Sequence, residues 1–235
     1  MRKTIALVED DDILRQNYVD LLEDNLFFVT AYASRLEAEA AFEKGLPDLA
    51  LLDIGLNEER EGGYDLCRFI RRRSESLPII FLTAYNKDVD EISGLRMGAD
   101  DYISKEESFE KILVRINSLF RRVAALSDNP EERGQEQAEN QVQHGDLYIN
   151  MASFEIRWKD IPIKFPLTQL WILHSLARRP GQVKSRESLM DAANITHSGL
   201  NTITVHINAI RNKFKEVDAD FDRIKNERGI GYSWS

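Results

Sequence analysis

The sequence predicts an α/β domain on a five-stranded, doubly wound parallel sheet, followed by a smaller α+β domain. Three observations carry this. Residues 1–122 alternate short apolar runs with helical stretches five times over, and such runs belong to parallel strands covered on both faces. Residues 144–235 begin with several short β-type runs, continue with helices and close on a glycine-containing hairpin. Between them, residues 123–143 are polar and Gln/Glu-rich with Pro130 and Gly134, the composition of a flexible acidic linker.

The elements follow in order. Thr4–Val8 is an apolar strand running into Glu9-Asp10-Asp11-Asp12, and Leu14, Tyr18, Leu21 and Leu22 then keep near-helical spacing. Phe27–Ala31 reads as a strand, Arg35–Lys44 as a helix, and Leu49–Leu52 as a strand ending at Asp53. Tyr64–Arg73 is helical, and Pro78–Leu82 is a strand ending at Thr83. Val89–Met97 is helical, Asp101–Ser104 is a short strand before Lys105, and Phe109–Arg122 is the last helix. In the second domain Leu147–Ile149, Phe154–Trp158 and Ile161–Phe165 read as small antiparallel strands. A helix from Leu167 stops at Arg178-Arg179-Pro180-Gly181, and Ser185 can cap a short helix through Ala192. A third helix spans about Asn201–Glu216, with Ile203, Ile207, Ile210 and Phe214 inward, and Arg223–Trp234 forms the hairpin.

Composition limits the function classes. The 235 residues suffice for two small domains, and one cysteine, Cys67, excludes an intramolecular disulfide framework or a Cys-rich zinc site. The longest apolar runs, such as Ile79–Leu82, fall far short of the ~20 residues of a membrane helix. Acidic residues at 9 and 10 come too early for a secretory leader, so a cytoplasmic protein without membrane attachment is expected. The net charge of -9 argues against a nucleic-acid partner only until it is divided. Residues 1–122 carry -8, residues 123–143 carry -4, and residues 144–235 carry +3.

In doubly wound sheets, ligands bind outside the carboxyl ends of the strands, where Glu9, Asp10, Asp53, Thr83 and Lys105 all fall. Singly, each has an ordinary explanation: acids cap helices after strands, and a strand-end lysine is usually solvated. Together they form a set. Converging carboxylates repel unless a cation joins them, and a hard divalent ion with oxygen ligands, Mg²⁺, suits them. A threonine hydroxyl and a lysine ammonium add what a phosphoryl group requires, so the chemistry expected is attack by a carboxylate to form an aspartyl phosphate.

Residues 1–122 resemble the receiver domain, a flavodoxin-like fold, of two-component response regulators. The residues that carry the resemblance are Leu7-Val8-Glu9-Asp10-Asp11, Leu51-Leu52-Asp53, Phe81-Leu82-Thr83-Ala84 and Gly98-Ala99-Asp100-Asp101-Tyr102-Ile103-Ser104-Lys105. The resemblance implies that Asp53 accepts phosphoryl from a sensor histidine kinase and that Glu9, Asp10, Asp53 and the Gly55 carbonyl hold Mg²⁺. Thr83 and Lys105 would bind phosphoryl oxygens, with Thr83 and Tyr102 as the switch pair. Two features depart from the family: Glu106 follows Lys105 where a proline is usual, and the loop after Asp53 is longer. Tyr85, bulky and two residues past Thr83, predicts slow loss of the phosphoryl group.

Residues 144–235 resemble the OmpR/PhoB winged helix-turn-helix DNA-binding domain. The matching stretches are Leu176–Val183, Thr202–Ile207, Ile210–Phe214 and Arg228–Tyr232. The third helix has no acid before Glu216, so its polar residues can meet base edges and its Arg and Lys can meet phosphates. The candidate DNA-binding residues are Asn201, Thr202, Thr204, His206, Asn208, Arg211 and Lys213, with Arg228 entering the minor groove from the wing. The resemblance also implies an active homodimer through Glu91, Asp100, Asp101, Lys111, Arg115 and Arg122. The signs at Glu91 and Lys111 are reversed from the usual ones, which disfavours pairing with ordinary relatives.

The reading is a phosphorylation-dependent DNA-binding transcriptional regulator whose only enzymatic steps are its own phosphorylation and dephosphorylation at Asp53. Promoter DNA, a sensor kinase, a second copy of the chain and RNA polymerase are the expected partners. Two alternatives stay open: a DNA-binding regulator with an atypical receiver not controlled by phosphorylation, and a small aspartyl-phosphate phosphotransferase.

Overall fold

The computed structural model describes residues 2–57, 59–83, 97–127, 141–193, 195 and 202–235; the side chains of Thr83, Arg122 and 124–127 are not among its described parts. The chain divides into two compact units, Met1–Leu113 and Val114–Ser235. Among the described residues no helix is long and apolar enough to cross a membrane.

In the first unit, strands β1 (Thr4–Val8), β2 (Phe28–Tyr32), β3 (Leu49–Asp53), β4 (Ile79–Thr83) and β5 (Asp101–Ser104) form one sheet in the order β2-β1-β3-β4-β5. Every pairing is parallel, with Val8 opposite Leu52 and Asp53 opposite Leu82. Helices α1 (Asp12–Asp24), α2 (Arg35–Phe42) and α3 (Gly62–Arg73) connect these strands, and α4 (Phe109–Ser127) follows β5 and crosses the boundary between the units at Leu113. The central strand β3 is buried at every position, as expected of a strand covered on both faces. The edge strand β2 is mostly exposed. The order reverses between β1 and β3, so the crevice at their carboxyl ends is where this topology places a ligand. Leu21 is exposed, leaving Tyr18 and Leu22 as the inward residues of α1. The expected helix Val89–Met97 lies almost wholly outside the described residues.

Two differences concern the linker. Helix α4 continues past residue 122 to Ser127, because Ala124-Ala125-Leu126 are good helix formers. Gln141–His144 forms a strand, β6, where linker was expected.

In the second unit, β6, β7 (Leu147–Asn150), β8 (Glu155–Trp158) and β9 (Ile161–Ile163) make an antiparallel four-stranded sheet in sequence order. Helices α5 (Leu167–Ala177), α6 (Arg186–Ala192) and α7 (Thr202–Val217) follow, with the two-residue strand β10 (Lys184–Ser185) before α6. Ser185 caps α6 as expected, accepting the Ser188 amide at 3.1 Å. The hairpin β11 (Ile224–Glu227) and β12 (Gly231–Trp234) pairs antiparallel and adds β10, giving the order β10-β12-β11. Its turn uses Gly229 at φ 73°, a left-handed conformation that a side chain would strain. Trp158, Phe214, Phe221 and Trp234 form the aromatic centre of this unit, with Phe214 and Phe221 stacked at 4.2 Å.

Candidate functional site

The acidic run after β1 separates into two jobs. Asp11 caps α1, its carboxylate accepting the Leu14 amide at 2.8 Å, and exposed Asp12 pairs with Arg15. Glu9 and Asp10 turn toward the sheet end instead. Arg15 braces that turn from α1 by donating to the carbonyls of Glu9 at 2.8 Å and Asp10 at 3.2 Å. Glu9, Asp10 and Asp53 each place a carboxylate oxygen within 4.8 Å of the others, with Glu9 and Asp53 buried and Asp10 half-buried.

Lys105, at the end of β5, reaches into this group. Its ammonium donates to Glu9 Oε1 at 2.7 Å and to Asp53 Oδ2 at 2.8 Å. The Lys105–Glu106 bond is trans, and Lys105 attains the pocket without the usual proline. Glu9 Oε2 lies 2.6 Å from the same ammonium but outside hydrogen-bonding geometry, so it stays buried without a hydrogen-bond donor. Burial pushes Glu9 up to about 7, against the pull of Lys105, and it raises Asp53 as well. Two buried carboxylates strained toward protonation, with a third beside them, suit a hard divalent cation, as do oxygen-only donors. The pocket is of the acidic kind in which receiver domains hold Mg²⁺.

Asp53 is fixed by its own neighbours. Its Oδ1 accepts the Ile54 amide at 2.7 Å. Gly63, at the start of α3, approaches so closely that a Cβ there would stand 1.9 Å from the Asp53 carbonyl oxygen. At Gly55, by contrast, a Cβ would meet nothing within 4 Å. The loop between them reaches back to the acids: the Asn57 amide donates to Asp10 Oδ2 at 2.8 Å. Sequence reading flagged this loop as long but did not single out Asn57, Gly63 or Arg15. The doubled glycine after an insertion was the available signal.

Several expected residues are placed elsewhere. Asp100, expected at a dimer surface, is fully buried: it takes Arg71 of α3 at 2.8 Å and the Ile79 amide at 3.0 Å. Arg115 is buried too, at 3% exposure, so neither is a surface ion-pair partner in this structure. Asp101 is buried and accepts the Tyr102 amide, Tyr102 is half-buried, and Lys111 is exposed. Tyr85 and Glu91 lie outside the described residues, as do the side chains of Thr83 and Arg122.

On α7 the structure corrects two expectations. His206 is completely buried, neither ring nitrogen is hydrogen-bonded among the described residues, and Thr202 is buried at 4% exposure, so neither presents its side chain to solvent. The cause is that α7 packs against α5, α6 and β9 together, which buries a second stripe beside the isoleucines. Thr204 is hydrogen-bonded to Tyr232 of the hairpin at 3.0 Å. Arg211 donates to the Ile224 carbonyl at 2.7 Å, and Lys213 to the Lys164 carbonyl at 2.6 Å. The exposed residues of α7 are Asn208, Asn212, Lys215 and Glu216, and Arg228 is exposed at the hairpin tip. Asn212 and Lys215 were passed over as sites, although their i+4 and i+7 spacing from Asn208 was readable. Asn201 lies outside the described residues.

Comparison with known proteins agrees with both halves. Residues 5–117 match the family "Response regulator receiver domain", and residues 161–234 match "Transcriptional regulatory protein, C terminal". The chain is 32% identical to the transcriptional regulatory protein CreB of Escherichia coli, over 99% of this chain and 97% of that one. Among solved structures, a RitR mutant shares the fold over 99% of both chains with a TM-score of 0.76 at 20% identity. DrrB of Thermotoga maritima, described as an OmpR/PhoB homolog, aligns over the full length of both at 26% identity and a TM-score of 0.50. A receiver fold with its acid pocket, joined to a winged helix and matched along its whole length by a transcriptional regulator, places this chain among the response regulators of the OmpR/PhoB subfamily.

Proposed function

We propose that the chain is a cytoplasmic, phosphorylation-controlled regulator: Asp53 takes a phosphoryl group from a sensor histidine kinase, the receiver then dimerises, and the paired winged helices bind promoter DNA. The observation that carries this is the Lys105 ammonium held between Glu9 and Asp53 beside Asp10. Glu9, Asp10, Asp53 and the Gly55 carbonyl are the groups that would hold Mg²⁺. When bound, the cation supplies positive charge against the carboxylates and the incoming phosphoryl oxygens.

A carboxylate oxygen of Asp53 bonds to phosphorus as the phosphorus–nitrogen bond of the donor's phosphohistidine breaks. The imidazole leaves with the electron pair and picks up a proton. Lys105, already 2.8 Å from the Asp53 carboxylate, stays beside the new phosphoryl oxygens as a point charge, and the Thr83 hydroxyl donates to another. That contact biases Thr83 and Tyr102 toward the dimer-competent arrangement. Exposed Lys111 serves the dimer face with Glu91 and Arg122, while buried Asp101, like Asp100 and Arg115, is not offered to a partner. Asn208, Asn212, Lys215 and Arg228 meet DNA, and RNA polymerase is the further partner of the assembled complex.

The test is incubation of the full-length protein with acetyl phosphate or beryllofluoride and Mg²⁺. Mass spectrometry should find one phosphoryl adduct on Asp53, absent in Asp53→Asn, and light scattering should find the dimer. An adduct missing at saturating donor, with the oligomeric state unmoved and promoter binding intact, would leave a DNA-binding regulator not governed by phosphorylation.

A further inference from the structure

The segment joining β3 to α3 is tied down at three places, all outside the acid pocket. Leu56 is buried at 1% exposure and exchanges two backbone hydrogen bonds with Glu59, each 3.0 Å, which closes a tight turn. The Glu59 carboxylate accepts from Arg35 Nε at 2.6 Å and from a second guanidinium nitrogen at 3.3 Å, a forked pair that holds Glu59 below the usual carboxylate range. Arg35 is the first residue of α2, and its other nitrogen holds Glu39 at 2.8 Å. The third tie is Asn57, whose side chain donates to the Ala33 carbonyl at 3.1 Å.

That anchoring point is itself stiff. Ser34 caps α2 by accepting the Glu37 amide at 3.3 Å, while the Glu37 carboxylate accepts the Ala33 amide at 3.0 Å. Asn57 sits at φ 56°, a left-handed conformation that asparagine adopts more readily than most residues. This conformation comes with its amide directed at Asp10 Oδ2, 2.8 Å away. Asp10 is only half-buried, and among the described residues its other hydrogen bond, from Arg15, is to its backbone carbonyl. The Asn57 amide therefore restrains a carboxylate otherwise free to turn to solvent, and it leaves Oδ1 for another partner.

We propose that Arg35 and Glu59 are positioning residues for cation binding: their ion pair holds the turn that lets the Asn57 amide orient Asp10 toward Glu9 and Asp53. This rests on the reading of the acid pocket as a Mg²⁺ site. Groups one step removed from a metal ligand commonly tune its affinity, and here the step runs through a solvent-facing ion pair, which moderates the effect.

The experiment is calorimetric titration of Mg²⁺ alone into the full-length protein, into Arg35→Gln, into Glu59→Gln and into the charge exchange of Arg35→Glu with Glu59→Arg. Circular dichroism checks that each is folded. Each single variant should bind Mg²⁺ about three- to tenfold more weakly than the parent, and the exchange should return to within about twofold. A general loss of packing would not be repaired by exchanging the charges. Single variants that bind as tightly as the parent overturn the proposal while leaving the Mg²⁺ site in place, and so does a weakening that the exchange fails to restore. A parent that takes no Mg²⁺ overturns both the site and the proposal.

Discussion

His206 illustrates how one side chain's environment decides its role. Read from the sequence, a histidine on a basic helix is a reasonable phosphate ligand; in the fold it is fully buried and both nitrogens lack hydrogen-bond partners among the described residues. Desolvation lowers its ring to about 4, so it is neutral in the folded state at neutral pH. A base whose folded value is depressed favours the folded state above its unfolded value near 6.5, and that advantage is lost as pH falls through the folded value. We expect His206→Leu to flatten the loss of stability between pH 6.5 and 4, followed by urea unfolding of the full-length protein. Above pH 7 the variant should be unchanged or stabilised by about 1 kcal/mol, since an unsatisfied polar group is replaced by an apolar one. Affinity for promoter DNA should stay within twofold; a tenfold loss would return His206 to the DNA interface. The sequence hid this because Ile203, Ile207, Ile210 and Phe214 satisfy a single inward stripe, and nothing local signals the second one.

Among elements, the best-defined joint is the one Arg71 makes. From α3 its guanidinium donates to the carbonyls of Gly98, Ser74 and Leu77 and to the Asp100 carboxylate, all between 2.6 and 3.2 Å. One residue thus links the end of α3, the approach to β4 and the turn leading into β5, the strand that carries Tyr102 and ends beside Lys105. We expect Arg71→Met to destabilise the receiver by about 3–5 kcal/mol, because the buried Asp100 carboxylate loses the guanidinium that faces it. The double variant with Asp100→Asn should recover part of that loss in chemical denaturation. Equal stability of Arg71→Met and parent would mean that the backbone donors alone satisfy Asp100. The strands themselves were legible: buried parallel strands give unbroken apolar runs, and Thr4–Val8 and Leu49–Asp53 lie where those runs predict. Strand β6 was not, since Gln141-Val142-Gln143-His144 buries only Val142 and reads as polar linker.

For the whole molecule, the division of charge carries the argument. A chain at -9 would repel DNA, yet the +3 of residues 144–235 makes the second domain the cationic part. Among the described residues Lys215 of α7 and Arg228 at the hairpin tip are exposed cations, and they are the ones proposed to meet phosphates. Promoter affinity of the phosphorylated protein should fall steeply with salt, by roughly 10³ or more between 50 and 200 mM for a dimer making six or more phosphate contacts. Arg228→Ala should lower the salt slope by about 1 per subunit in fluorescence anisotropy, whereas Asn208→Ala should weaken binding with the slope unchanged. A slope indifferent to Arg228 would remove the wing from the interface. The domain order and the charge asymmetry were readable from composition alone. Which α7 residues face outward was not, because that depends on three elements packing around one helix.

The two glycines flanking the loop after Asp53 have opposite histories open to them. At Gly55 an added Cβ would meet nothing within 4 Å, so the first carbon of a side chain carries no steric penalty. At Gly63 even a methyl group would collide with the peptide unit of Asp53 itself, so the codon is closed to drift while the helix begins where it does. Whatever else changes between the two glycines, a lineage must return to glycine before starting the helix.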